Sequence, residues 1–233
     1  MTALYFFGDS WSAEYSELER LVDSKQLILN KPLESYPTMV GRMLGLPIKN
    51  LSKPGSSQAS LIHQLLKSDI SAGDHAIFSL TAPSRRMYFN DQGQPIDVFA
   101  ADFKEALNDY DDSWHAALAC YTLYKLCQEK LINCYFLSTF NVSYSPDTCH
   151  PFWKHIPDSL WLIPKEKCAA QTEFDPEYFN QYKFYKNSDF YDWLSTNNNQ
   201  VNQCIRPCNE HPNLRGRELI AIKIAQELKN RIN

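Results

Sequence analysis

The chain has 233 residues, 44% of them hydrophobic and 21% charged, with a net charge of −4. That length supports one well-buried core and points to a single domain over residues 1–233. The composition excludes a disordered chain, the negative balance argues against a nucleic-acid or anionic-membrane partner, and no apolar stretch approaches the ~20 residues of a membrane helix.

In chain order, an apolar run at Leu4–Phe7 predicts a buried strand that delivers Gly8-Asp9-Ser10 to its carboxyl end. Ser12 to Pro32 is mixed and charged and predicts a short inserted helix. Tyr36 to Leu44 carries Tyr36, Met39, Val40, Met43 and Leu44 at helical spacing, and Ser57 to Leu66 repeats the pattern with Leu61, Ile62, Leu65 and Leu66. Strands are expected at Ile48–Leu51, Ala76–Leu80 and Cys134–Phe140. Asn90 to Pro95 predicts a turn between two extended pieces. Phe99 to Leu131 predicts a long helical region, bent or broken near Asp109–Asp112, and Leu219 to Ile232 a final helix with Ile220, Ile224, Leu228 and Ile232 on one face. Strands alternating with helices argue for a mostly parallel sheet covered on both faces, a three-layer α/β/α sandwich. The irregular, aromatic-rich stretch 141–207, with its Asn197–Asn199 loop, predicts a partly ordered cap over the strand ends.

Seven scattered cysteines leave one unpaired in any disulfide scheme, so reduced, mostly buried thiols are expected. A signal peptide needs a basic region and a longer apolar core ahead of the first strand; here that strand starts near residue 3, so a cytoplasmic protein is expected. The sequence carries no signal for oligomeric state.

Ligands of an open α/β sheet bind outside the carboxyl ends of its strands, which is where Ser10 is expected. A serine becomes a nucleophile when a base takes its proton and a third group orients that base. His211, in Glu210-His-Pro-Asn213 before the last helix, is the candidate base. A tetrahedral intermediate needs donors at its oxyanion. The backbone amide of Ser10 is one candidate, and that of Gly55, in Lys53-Pro-Gly-Ser56, is another.

The order Gly8-Asp-Ser10, then Pro54-Gly-Ser56 after a second strand, then His211-Pro-Asn213 before a helix, resembles the SGNH (GDSL-type) hydrolase superfamily. The resemblance implies a flavodoxin-like α/β/α sandwich acting on esters, with acetyl groups on carbohydrates among the substrates. It implies Ser10 as nucleophile and oxyanion donor, Gly55 as second donor and His211 as base. Two positions depart from the family. Its third block usually reads Gly-x-Asn-Asp, whereas Phe78-Ser-Leu-Thr-Ala-Pro-Ser-Arg-Arg86 has no asparagine. The family's asparagine gives a side-chain oxyanion donor; Thr81, the polar residue nearest that place, is the candidate for that role, and Arg85 is a candidate to offer a guanidinium to an anionic substrate group. The family's acid stands three residues before the histidine, where this chain has Cys208. A thiol cannot orient an imidazolium as a carboxylate does, so a Ser–His dyad is the expectation, with Glu210 a poor substitute.

These residues point to a serine esterase or deacylase that takes a small acyl ester, with no cofactor and no metal. An acyltransferase uses the same chemistry with another acceptor. The reading from a different class is a catalytically degenerate protein that binds a glycan or other ligand. Cys204, Cys208 and His211 suggest a zinc site, but structural zinc needs four ligands and no fourth has suitable local spacing.

Overall fold

The computed structural model describes residues 2–9, 12–13, 34–81, 85–92, 95–99, 109–138, 151–162 and 214–232. Its elements in chain order are β1 (Leu4–Phe7), α1 (Tyr36–Leu44), β2 (Ile48–Asn50), α2 (Gln58–Lys67), β3 (His75–Leu80), β4 (Arg85–Phe89), β5 (Pro95–Phe99), α3 (Asp109–Glu129), β6 (Asn133–Ser138) and α4 (Leu214–Ile232).

Among the described residues, four strands form one sheet in the order β2-β1-β3-β6, every pairing parallel. Successive side chains of a strand face opposite sides, and β1 is apolar at every position, so both faces of the sheet must be covered. Leu4 and Phe6 pack with Tyr36, Met39 and Val40 of α1 and with Ile220, Ile224 and Leu228 of α4. Tyr5 and Phe7 point the other way, onto Leu61 and Leu65 of α2 and Ala117, Cys120 and Leu123 of α3. The result is the expected three-layer α/β/α arrangement.

Local signals set the helix bounds. Ser35 and Ser57 take extended backbone ahead of α1 and α2, and each side-chain oxygen accepts a backbone N–H three residues on. Gly45, at φ 67°, ends α1 in the left-handed conformation that glycine adopts without penalty.

β4 and β5 form a separate antiparallel hairpin, with Arg85 opposite Phe99 and Met87 opposite Asp97. The turn expected over Asn90–Pro95 lies between them, with Asn90 Oδ1 accepting the Gln92 N–H at 3.0 Å. The hairpin corrects one expectation: Phe99 closes a strand rather than opening a helix. Apolar spacing alone does not separate these choices, and cross-strand pairing with β4 decided it. Helix α3 begins at Asp109, in an acidic run of the kind that a helix N-terminus favours.

Residues 151–162 belong to the stretch expected as a cap. They form two 3₁₀ turns, Pro151–His155 and Asp158–Leu160, and then run beside β6. Trp161 bridges Phe136, the Leu162 N–H donates to the Phe136 carbonyl at 2.9 Å, and Ile156, Trp161 and Leu162 are buried in the core. The remainder of 141–207 lies outside the described residues, as do residues 14–32 of the predicted insertion. Among the described residues, no helix is long and apolar enough to cross a membrane.

Candidate active site

The chain runs from β1 to β2 on one side and then returns to β3 on the other side of β1. Such a reversal opens a crevice at the carboxyl ends of the two diverging strands, and ligands of open α/β sheets bind there. Gly8 and Asp9 follow β1 at this point, and Thr81 follows β3.

Both flanks of Ser10 are fixed, although Ser10 and Trp11 themselves lie outside the described residues. On the amino side, the buried Asp9 carboxylate accepts the Thr81 hydroxyl proton at 2.8 Å. The Asp9 carbonyl accepts the N–H groups of Ser12 and Ala13, at 3.1 and 2.9 Å, so that Asp9 and Ser12 are held as the two ends of a turn. On the carboxyl side, Ser12 is held through its side chain and its carbonyl. Its hydroxyl lies 2.7 Å from the Tyr36 hydroxyl, which lies 2.7 Å from Ser79 Oγ. Its carbonyl accepts from Asn50 Nδ2 at 2.7 Å. Neighbouring elements therefore grip this turn from several sides: α1 through Tyr36, β2 through Asn50, and β3 with the residue that follows it through Ser79 and Thr81.

Packing explains Gly8. A Cβ there would overlap Ser12 Oγ and come within 2.9 Å of Ser79 Cβ. Glycine is what allows Ser12 to fold back over the end of β1.

The second turn sits alongside. The Lys53 N–H donates to the Gly8 carbonyl at 2.9 Å, and the Lys53 carbonyl accepts the Ser56 N–H at 3.2 Å. Pro54 and Gly55 occupy the turn's middle positions, and Gly55 has φ 81°. Proline followed by a glycine at positive φ is the signature of a type II turn. Ser56 Oγ accepts from Gln64 Nε2 at 3.0 Å, which ties the turn's end to α2. Gln58, at the start of α2, donates to the Thr81 carbonyl at 2.6 Å. The ends of β1 and β3 and the start of α2 thus form one connected surface.

The electrostatics under the turn are those of a buried polar cluster. Burial pushes the Tyr36 phenol far above its usual range, and its hydrogen bonds with Ser12 and Ser79 oppose the rise. The negative charge of Asp9 adds to the rise, while the buried Arg217 guanidinium of α4 pulls against it. Tyr36 is therefore a neutral hydroxyl that bridges two serines.

Of the residues singled out in the sequence, Gly55 and Thr81 stand beside the Gly8–Asp9 turn. A hydroxyl has one proton to give, and Thr81 gives its proton to Asp9 rather than to the crevice. Arg85 opens β4, and its side chain lies outside the described residues, as does all of His211. Among the described residues, no group of three or more His, Cys, Asp or Glu side chains could hold a metal. Cys204, Cys208 and His211 lie outside them. Asn50, Ser79 and Tyr36 carry no signal in the sequence because each belongs to an ordinary strand or helix pattern. Only the meeting of β1, α1, β2 and β3 gives them a common task.

No protein-family profile and no curated protein matches the chain. Solved structures do. A Bacillus subtilis protein, YxiM, superposes with a TM-score of 0.51 at 11% identity over 99% of this chain, which spans 56% of that protein's length. A Parabacteroides merdae structure described as a GDSL-like lipase gives a TM-score of 0.48 at 14% identity, covering 98% of this chain and 95% of that one. A lipase/acylhydrolase from Enterococcus faecalis gives 0.42 at 14% identity, covering 99% and 97%. At 11% identity the likeness to the Bacillus subtilis protein is one of fold alone.

Proposed function

We propose that the chain is a serine ester hydrolase of SGNH type that takes a small acyl ester, with Ser10 as nucleophile and His211 as base. Ser10 Oγ attacks the acyl carbon as its proton passes to His211. The backbone amides of Ser10 and Gly55 hold the negative oxygen that forms. His211 then returns the proton to the departing alcohol, and water attacks the acyl-serine by the same route to release the acid and restore Ser10. Thr81 acts by fixing Asp9, and Arg85 by meeting an anionic group of the substrate.

The observation that carries this reading is the grip on both flanks of Ser10, at the sheet's switch point and beside a type II turn. Buried hydroxyl, amide and carboxylate groups are tolerated at a strand end when they are hydrogen-bonded, and a network bonded in this way holds one geometry. Preorganised donors beside a fixed nucleophile are what acyl transfer requires.

The test is hydrolysis of short-chain aryl esters by the wild type, Ser10→Ala and His211→Ala. Turnover that falls by at least ~1000-fold in Ser10→Ala and His211→Ala supports the reading. Wild-type turnover that survives Ser10→Ala overturns it. One observation favours the ligand-binding alternative: the Thr81 hydroxyl is spent on Asp9, which leaves the oxyanion two backbone donors and no side-chain donor at this position. In that case the folded wild type binds glycans or acyl esters and releases them unchanged.

A further inference from the structure

A helix begins with N–H groups that have no partner inside the helix. In a capping box the N-cap serine covers the N–H three residues on, and a Glu or Gln there reaches back to the N-cap's own N–H. Helix α2 has the first half of this device, since Ser57 Oγ accepts the Ser60 N–H at 3.3 Å. It lacks the second half, because the residue at the returning position is Ser60. The carboxylate comes from another element. Asp97 of β5 accepts the Ser57 N–H at 2.9 Å through Oδ1, and the same oxygen accepts the Ser60 hydroxyl.

The hairpin is fastened to α2 at a second place. Phe89, on the same face of β4 as Met87, meets the His63 ring edge to face, with centroids 6.4 Å apart. Ser57 and Ser60 are buried, and Asp97 is half-buried. Between Gly55 and the first turn of α2, the Ser56 N–H and hydroxyl are bound by Lys53 and Gln64, within this same segment. The Ser57 N–H is a backbone group there that the hairpin holds.

We infer that Asp97 is a positioning residue: from the β4–β5 hairpin it supplies the missing half of the α2 capping box and so fixes the peptides of the Gly55 turn. The consequence for catalysis rests on the proposed role of the Gly55 N–H as an oxyanion donor. Asp97 touches no reacting atom and acts through Ser57.

The experiment uses the full chain with Asp97→Ala, Asp97→Asn and Ser60→Ala. It reads amide hydrogen exchange over residues 53–60 and steady-state hydrolysis of p-nitrophenyl acetate. In Asp97→Ala, exchange in that segment rises and kcat falls about tenfold while KM stays within about twofold, a smaller loss than removing an oxyanion donor outright. Asp97→Asn keeps the acceptor, removes the charge and restores both readings to within about threefold. Should Asp97→Ala fail to fold, Ser60→Ala, which removes one of the two bonds, gives the same pattern at about threefold. Unchanged exchange in a folded Asp97→Ala, or an Asp97→Asn as impaired as the alanine variant, overturns the inference. An inert wild type with the expected exchange response overturns the hydrolase reading instead and leaves Asp97 as the holder of the turn.

Discussion

The Lys53 N–H donates to the Gly8 carbonyl across 2.9 Å. Through that bond the Pro54–Gly55 turn, far away in sequence, is seated against the residue that leads into Asp9 and Ser10. The two turns carry glycines for different reasons, and substitution separates them.

Alanine at Gly8 meets Ser12 Oγ and Ser79 Cβ, and Ser79 sits in the central strand β3 where it cannot retreat. We expect Gly8→Ala to cost about 1–3 kcal/mol by overpacking and to displace Ser12. At Gly55 nothing lies within 4 Å of an added Cβ. There the cost is backbone strain at φ 81°, about 1–2 kcal/mol. Urea unfolding of both variants, with crystal structures of each, distinguishes a displaced Ser12 from an altered turn.

Thr81→Val keeps the shape of the side chain and removes the proton given to Asp9. A hydrogen bond to a buried carboxylate is worth about 1.5–3 kcal/mol, and the unfolding free energy should fall by that amount. Thr81→Ser should keep it. Were Thr81 an oxyanion donor, the valine variant would lose ~100-fold or more in kcat with little change in stability. Measuring both quantities on one preparation separates the two roles.

Tyr36→Phe leaves the ring in the core and removes the bridge between Ser12 and Ser79. We expect a loss of about 1–2 kcal/mol from these buried hydroxyls. Because Ser12 is the held residue two positions after the proposed nucleophile, kcat should fall while KM stays nearly constant. Denaturation and steady-state kinetics of the same variant check the pair of effects.

His75 gives the fold a pH dependence away from the crevice. It is buried at the start of β3, its ring stacked on Tyr135 with centroids 5.9 Å apart. Burial lowers its pKa, and the charge of the neighbouring Asp74 opposes this without overcoming it. In the unfolded chain a histidine titrates near ~6.5, so below that pH the unfolded state binds more protons than the native one. The stability contributed by neutral His75 is present above about pH 6.5 and is lost as the pH falls through its lower native value. Urea midpoints should therefore drop on acidification, and His75→Gln should flatten that slope.

Much of the scaffold was legible in the sequence. β1 is apolar at every position because it is buried on both faces, and the Asn90–Pro95 turn was marked by its residue types. Pro54-Gly55 announced its turn by the same chemistry. Phe99 departs from the helical expectation because a short apolar run fits a strand as well as a helix until its partner is known. The partners of Asp9 and Asp97 were invisible for a related reason. An acidic residue in a turn or hairpin says nothing of whether Thr81 or Ser57 will meet it, since that depends on how distant elements cross. Tyr36 read as one apolar position of a helix, and its hydroxyl found its task only where α1 crosses the ends of β1 and β3.

Whether Ser10 is an activated nucleophile is answered by a fluorophosphonate probe, read by intact-mass analysis. We expect one covalent adduct on the folded wild type, mapped to Ser10, abolished in Ser10→Ala and greatly slowed in His211→Ala. Folded wild-type protein that takes up no label, or that is labelled equally after Ser10→Ala, rules Ser10 out as the nucleophile.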